Sequence, residues 1–285
     1  MSNAIKDMKF DILITTFGKT EEEILSFLKF NNIHGSIYVG NQKSNVYSKK
    51  IIDLGTDIIR IYNLTNSGVS KNRNFLLMKA TSDYVIFLDD DIKIIDYKIN
   101  IDFDGTIAYR FNVSSNNPNR PIKDINSNKF LKFVDVKSYG VWGIFFPREF
   151  LIKNNVFFNE YIGPGCLINH GEDSLFLHDF LDCGKIYQVS RELFIAEQKE
   201  STWRGKNRNL ELELISHGFV FGIMFGVKSY LFLTYSLIKN KNEYLNINLL
   251  NRLKFAFFGY KLSKKASNGI DIDDINYLIN LKLDS

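Results

Sequence analysis

Residues Tyr84–Leu88 (YVIFL) are apolar at every position and run directly into Asp89-Asp90-Asp91. A strand with no polar face must be covered on both sides, which is the situation of an interior strand in a parallel sheet. Three adjoining carboxylates cannot share that interior, because like charges repel unless a cation or ligand donors meet them. This one segment therefore asks for layered α/β structure. It also marks the carboxyl edge of the sheet, where open α/β folds bind ligands.

The preceding residues repeat the theme. Phe10–Thr15 (FDILIT), Ser36–Val39 and Asp57–Tyr62 read as three more strands. After the first of them, Thr20-Glu21-Glu22-Glu23 forms a capping box, in which a hydroxyl and a third-position carboxylate satisfy the free amides of a helix start. Ile24, Leu25, Phe27 and Leu28 supply that helix with its apolar face. Ser70 is placed to cap a second helix running through Lys79. Alternating strands and helices predict a Rossmann-like, mostly parallel α/β sheet over the first hundred residues. Beyond Asp91, Ile107–Val113 and Phe130–Val136 read as strands flanking a polar loop (Ser114–Asn128). Tyr139–Phe146 reads as an extended stretch, and Ser174–Leu181 as a helix closed by Gly184.

Composition narrows the partners. With 45% hydrophobic and 24% charged residues the chain is globular, and its net charge of +4 is spread along the sequence. A nucleic-acid binder concentrates its cations, so no nucleic-acid partner is expected. A mild positive balance suits anionic small substrates and an anionic membrane face alike. Cys166 and Cys183 lack ligand spacing, the four His residues show none either, and Met1–Phe10 has no apolar signal core. These features point to a cytoplasmic setting, including the inner face of the cell membrane. Phe219–Ile238 carries Lys228 as its only charge, and Arg252–Lys265 mixes Phe and Tyr with Lys. Two arrangements stay open for these helices: packing on the domain, or lying on a membrane surface as a peripheral contact.

Three groups of residues carry chemistry. The acidic run suits Mn2+ or Mg2+, which take carboxylate oxygens and complete their shell with phosphate; its plain alternative is a solvated turn. In Asn66-Ser67-Gly68-Val69-Ser70-Lys71-Asn72-Arg73-Asn74, Gly68 permits a tight turn into a helix whose start faces an anion. Arg73 then reaches a phosphate or base, or else is a surface residue. In Gly171-Glu172-Asp173, a carboxylate at a helix start stays ionised, as a general base requires; the alternative is that Asp173 caps the helix.

In this order the groups resemble glycosyltransferase family 2, the inverting enzymes of GT-A fold, over roughly residues 8–203. Asn66, Gly68, Arg73 and Asn74 match its N-x-G-x-x-x-x-R-N line, Asp89 and Asp91 its D-x-D pair, and Glu172-Asp173 its E-D pair. Tyr139–Gly143 (YGVWG) and Phe157–Glu160 (FFNE) look like its aromatic-glycine strand and following turn. The resemblance implies donor-site roles for Thr15, Thr16, Phe17, Asn66, Gly68, Arg73, Asp89 and Asp90. It implies a metal site on Asp91 and Asp89, a catalytic base at Asp173, and acceptor contacts from Glu172, Trp142 and Gly143.

The chain departs from the family in two places. Asn41 stands where the family carries an acidic base-reading residue and is the donor-site candidate to hydrogen-bond the base instead, and Glu197 is the candidate for the third metal ligand that relatives draw from a late His. The Trp203–Arg208 loop is a candidate cover for the diphosphate. Together these readings imply a catalytic domain over 1–210, with 1–95 binding the nucleotide sugar and 96–210 the acceptor, and a helical region over 211–285. The expected activity is inverting transfer from a UDP-sugar to a glycan or lipid-linked acceptor in surface polysaccharide synthesis. The alternatives are a metal-dependent nucleotidyltransferase and a non-catalytic sugar-binding or assembly subunit at the membrane.

Overall fold

A computed structural model describes residues 9–65, 68–97, 99, 103–118, 122, 125–136, 139–197, 209–239, 244, 246–267 and 271–283. The strands are β1 (Phe10–Phe17), β2 (Ser36–Gln42), β3 (Ser48–Asp53), β4 (Ile58–Asn63), β5 (Tyr84–Leu88), β6 (Ile92–Ile94), β7 (Ile107–Ser115), β8 (Lys129–Leu131), β9 (Ile144–Pro147) and β10 (Lys185–Ala196). They form one sheet in the order β3-β4-β2-β1-β5-β9-β7-β10-β6, with β8 on the flank of β10. From β4 through β5 the neighbours are parallel, as are β7 and β10. The fold is therefore α/β with a mostly parallel centre, as its apolar runs require, and β5 is buried along its whole length.

Helices α1 (Glu21–Phe30) and α2 (Val69–Lys79) follow β1 and β4, and Thr20 and Glu23 form the complete capping box of α1. The expected cap of α2 is corrected. Ser70 lies inside the helix and is fully buried, while Gly68 precedes it at φ +110°, so a glycine turn and not a hydroxyl starts α2. The strand expected over Phe130–Val136 is also cut short. After β8, Asp135 Oδ2 accepts the Lys132 N–H (2.8 Å) and the chain turns into the short helix α3 (Phe133–Val136). Tyr139–Phe146 is mostly turn, with Gly143 at φ +80°, before β9 leads into α4 (Arg148–Lys153).

Among the strands that the sequence did not mark, β3 and β10 lack an unbroken apolar run. β3 is an exposed antiparallel edge bearing Lys49 and Lys50, charges that keep a free edge from pairing with another chain. β10 mixes Gln188, Arg191 and Glu192 among its apolar positions, and its register on β7 shifts between Val189 and Glu192.

Asp11 on β1 is completely buried and accepts from Thr81 N (2.6 Å), Ser82 N (2.9 Å) and Ser82 Oγ (2.9 Å). It ties β1 to the turn that delivers β5. Asp11→Ala strands two backbone amides and a hydroxyl away from water. It is expected to cost about 3 kcal/mol, seen as a lower urea midpoint at unchanged m.

The chain divides into two compact units, and the division falls within α5 (Glu172–Cys183). The first comprises Met1–Phe158 with Phe176–Ser201, and the second Asn159–Leu175 with Thr202–Ser285. Residues 159–175 thus join the C-terminal helices, where the sequence drew its boundary near residue 210. The second unit holds α6 (Leu210–Phe225), a 3₁₀ turn (Gly226–Lys228), α7 (Ser229–Lys239), α8 (Leu249–Ser267) and α9 (Ile272–Leu283). Its core is built from Leu214, Leu233, Leu237, Tyr244 and Ala256. α6 and α8 meet backbone to backbone. A Cβ at Gly218 would lie 1.8 Å from the Ala256 carbonyl oxygen, and one at Gly259 would lie 1.9 Å from that of Ile215.

Candidate functional site

The carboxyl ends of β1, β2 and β5 form the ligand edge of the sheet, with Thr15, Thr16 and Phe17 in register with Gly40, Asn41 and Gln42. Thr16 is 6% exposed, and among the described residues its hydroxyl has no hydrogen-bond partner, an unusual state for a buried donor. Phe17 is 61% exposed, with Lys43 Nζ 5.6 Å from its ring centroid.

Asn41 is occupied within the fold. Its Oδ1 accepts the Lys19 N–H (3.1 Å), while Nδ2 donates to Lys19 O (2.8 Å) and Asn63 Oδ1 (2.9 Å). Both amide hydrogens are used, and they pin the β1–α1 turn to β2 and β4. Asn66 lies outside the described residues.

α2 is the hub of this edge. Three successive buried side chains leave it for three destinations. Asn72 Nδ2 donates to Gly40 O on β2 (2.7 Å), Arg73 Nη2 donates to Asp89 Oδ1 (3.0 Å), and Asn74 brackets the Phe158 backbone through bonds of 2.8 and 2.9 Å. Gly68 O accepts from Gln42 Nε2 (3.0 Å), holding the helix start to β2. Arg73 is 4% exposed and lies 5.0 Å over the Phe158 ring, which itself stacks on Phe176 at 4.1 Å. A surface role for Arg73 is thereby replaced by a buried guanidinium that orients the first aspartate of the acidic run. Asn72 was not anticipated, since an Asn within a helix carries no signal of where its amide goes.

In the acidic run, Asp90 pairs with Lys19 (3.2 Å) and its carbonyl accepts from Asn31 Nδ2 (3.1 Å). The Asp91 carbonyl accepts the Glu197 N–H (2.9 Å), continuing the antiparallel pairing of β10 with β6. Asp91 and Glu197 therefore adjoin along the backbone although they are far apart in sequence. Asp89, Asp91 and Glu197 offer carboxylate oxygens, the donor type that a hard divalent ion completed by phosphate takes.

A different cluster, His178, Asp179 and Asp182 on α5, brings its ligand atoms within 4.8 Å of one another and draws none of them from this run. The Asp179 hydrogen bond raises the His178 pKa against the opposing effect of burial, and the charges of Asp182 and Asp179 add to the rise. A raised folded-state pKa stabilises the fold fully below the unfolded value, and that gain is lost as pH rises through the folded pKa. The stability difference between wild type and His178→Gln is expected to be largest below the unfolded value of about 6.5 and to be lost as pH rises through the raised folded value, measured as Tm against pH.

On the other half of the sheet, Gly143 is buried and its carbonyl accepts from Phe111 N (2.9 Å), while Trp142 packs partly into the core. Gly140 is required there, because a Cβ would lie 2.1 Å from Trp142 Nε1. Nearby, Arg110 is 1% exposed, donates to Gln188 Oε1 (2.5 Å) and lies 4.0 Å over the Tyr139 ring. Nothing in the sequence singled out this buried cation.

Glu172 and Asp173 form the first turn of α5, in the second unit. Gly171 O accepts the first helical bond, from Leu175 N (3.0 Å), so the residue at the cap position is Gly171 and not Asp173. Gly171 sits at φ +99°, with Val220 of α6 filling the space a Cβ would need. His170 packs edge-on against His217 of α6 (4.8 Å), and His217 Nδ1 meets the Tyr244 hydroxyl at 3.3 Å. The turn that carries the acid pair is thus braced by α6. The Trp203–Arg208 loop lies outside the described residues.

An uncharacterized protein of Haemophilus influenzae is 32% identical over 99 residues, 32% of this chain and 54% of that protein, so the chain matches about half the length of this curated relative. Crystal structures of S. aureus TarS 1-349 share the fold. The complex with UDP has a TM-score of 0.61 at 14% identity and that with UDP-GlcNAc 0.61 at 15%, each covering 90% of this chain and 81% of that one. The likeness reaches across both units and is one of architecture. Residues 16–100, which hold the β1 edge, α2 and the acidic run, match the description of glycosyl transferase family 2. Through that segment the chain is similar to glycosyl transferase family 2, and its fold is that of the TarS structures.

Proposed function

We propose that this glycosyltransferase moves a sugar from a UDP-linked donor to a hydroxyl of a glycan or lipid-linked acceptor, with inversion, at the cytoplasmic face of the membrane in surface polysaccharide synthesis. The observation that carries this reading is the ion pair of buried Arg73 with half-exposed Asp89 at the ligand edge. The same edge of the sheet carries the Thr16 hydroxyl, which has no hydrogen-bond partner among the described residues and is open to a donor. The likeness to TarS, whose crystal structures contain UDP and UDP-GlcNAc, supports a uridine donor.

In this mechanism Asp173 takes the proton of the acceptor hydroxyl, whose oxygen attacks the anomeric carbon as the bond to the diphosphate breaks and the nucleoside diphosphate leaves. Glu172, Trp142 and Gly143 are the residues proposed to contact the acceptor. Thr15, Thr16 and Phe17 line the nucleotide, and Asp89, held by Arg73, faces the ribose with Asp90 next to it. Asp91, Asp89 and Glu197 would hold Mn2+ or Mg2+, which when bound neutralises diphosphate charge.

Thermal unfolding with nucleoside diphosphates, with and without Mn2+, tests the donor site. UDP at a hundredfold excess over its Kd is expected to stabilise by about 2.7 kcal/mol, and only with the metal present. Absence of a shift with every nucleoside diphosphate would overturn the reading.

A further inference from the structure

α7 is apolar on two sides. Ser229, Leu233 and Leu237, four residues apart, are buried, and the two leucines belong to the core of the second unit. On the opposite side Val227 (70% exposed), Leu231 (76%), Tyr235 (65%) and Ile238 (57%) face outward, with Phe232 (46%) beside them. The helical period places these five on one outward arc. Large apolar side chains gathered on one exposed face signal a surface that meets something other than water.

Charge identifies the occupant. Lys228 stands just before α7 and Lys239 ends it, both exposed, and no acid lies between them. From Gly226 to Ser267 the sequence holds eight Lys and Arg and one acid, Glu243. Lys239 Nζ lies 5.9 Å from the Tyr235 ring centroid, so its stem follows the apolar arc. A second copy docked on this face would bring lysines against lysines, with one acid in this segment of each chain to offset them. An anionic surface meets them without that penalty.

Length separates lying on a membrane from crossing it. Leu210–Lys239 is long and apolar enough to span a bilayer, but its two helices are used differently. α6 gives its glycine face to α8, and the 3₁₀ turn Gly226–Lys228, with Gly226 at φ +53°, breaks the run before α7. The eleven residues of α7 reach about 16 Å, roughly half of a hydrocarbon core.

We propose that the outward arc of α7 docks on an anionic lipid surface. Leu231, Phe232, Tyr235 and Ile238 enter the boundary between headgroups and acyl chains, and Lys228 and Lys239 meet lipid phosphates. Docking rests on the transfer reading in one respect, that it brings the enzyme to a lipid-linked acceptor.

The test sediments the full chain with vesicles of phosphatidylcholine alone or mixed with phosphatidylglycerol. Wild type is expected to pellet with the anionic vesicles and not with the neutral ones. Lys228→Gln/Lys239→Gln is expected to bind roughly 25-fold more weakly, about fivefold per lysine. Leu231→Glu/Tyr235→Glu is expected to lose binding, with Tm and the UDP-induced shift unchanged in both variants. Failure of wild type to pellet with anionic vesicles overturns the proposal, as does equal binding by Leu231→Glu/Tyr235→Glu. Light scattering that shows a wild-type dimer, lost in that variant, with no vesicle binding would assign the face to a second copy instead. Vesicle binding without any UDP shift would leave the docking standing and remove the donor reading.

Discussion

Asp173→Asn is expected to lower kcat by roughly 10²–10⁴-fold, the contribution of a general base, while UDP affinity stays within about twofold of wild type. The amide matches the carboxylate in size and cannot accept a proton from the acceptor hydroxyl. Because Gly171 holds the cap position, the helix start does not depend on the Asp173 side chain for its first bond. The readout is release of nucleoside diphosphate in the presence of a cell-envelope glycan and lipid fraction as acceptor, with donor binding followed separately by thermal shift. Asp91→Asn makes the contrast, since it should weaken the metal dependence of the UDP shift itself. An Asp173→Asn protein turning over within threefold of wild type would remove Asp173 from the chemistry.

Gly218→Ala is expected to destabilise the protein by about 3 kcal/mol, the upper end of what overpacking usually costs. The added carbon would stand 1.8 Å from a backbone oxygen of Ala256, which no rotamer change can relieve, so α6 must lift from α8. That displacement has a second effect. α6 also carries His217 and Val220, which brace the turn bearing Glu172 and Asp173, so a loss of kcat should accompany the loss of stability. Urea unfolding of Gly218→Ala against Leu231→Ala, an exposed control expected to change by under about 0.5 kcal/mol, measures the first effect. An unchanged midpoint for Gly218→Ala would mean that the two helices do not pack this closely in solution.

The legible parts of the sequence were those with a local physical cause. A uniformly apolar pentapeptide can only be an interior strand, and a capping box satisfies amides within one turn, so β5 and the start of α1 could be placed without tertiary information. The positions of the acidic run and of Arg73 followed from strand order. The partner of Arg73 did not, because which carboxylate a guanidinium reaches depends on how α2 lies against β5. The same limit hid the Arg110–Gln188 pair, the bracing of Gly171 by α6 and the engagement of Asn41, all contacts between residues distant in sequence. β3 escaped because an exposed edge bears no apolar alternation, and Ser70 misled because a hydroxyl near a helix start caps it only if it lies outside the first turn.

The bond from Asn72 to the Gly40 carbonyl has a consequence for how such a chain can diverge. A Cβ at position 40 would fall 1.8 Å from Asn72 Oδ1, so the two positions form a lock in which each shape excludes most replacements of the other. Arg73 and Asn74 sit on the same helical turn, so a drift in position 72 that tilted α2 would also misalign Asp89 and Phe158. Inherited change at residue 40 is therefore expected to arrive jointly with change at residue 72, and lineages that keep one should keep both.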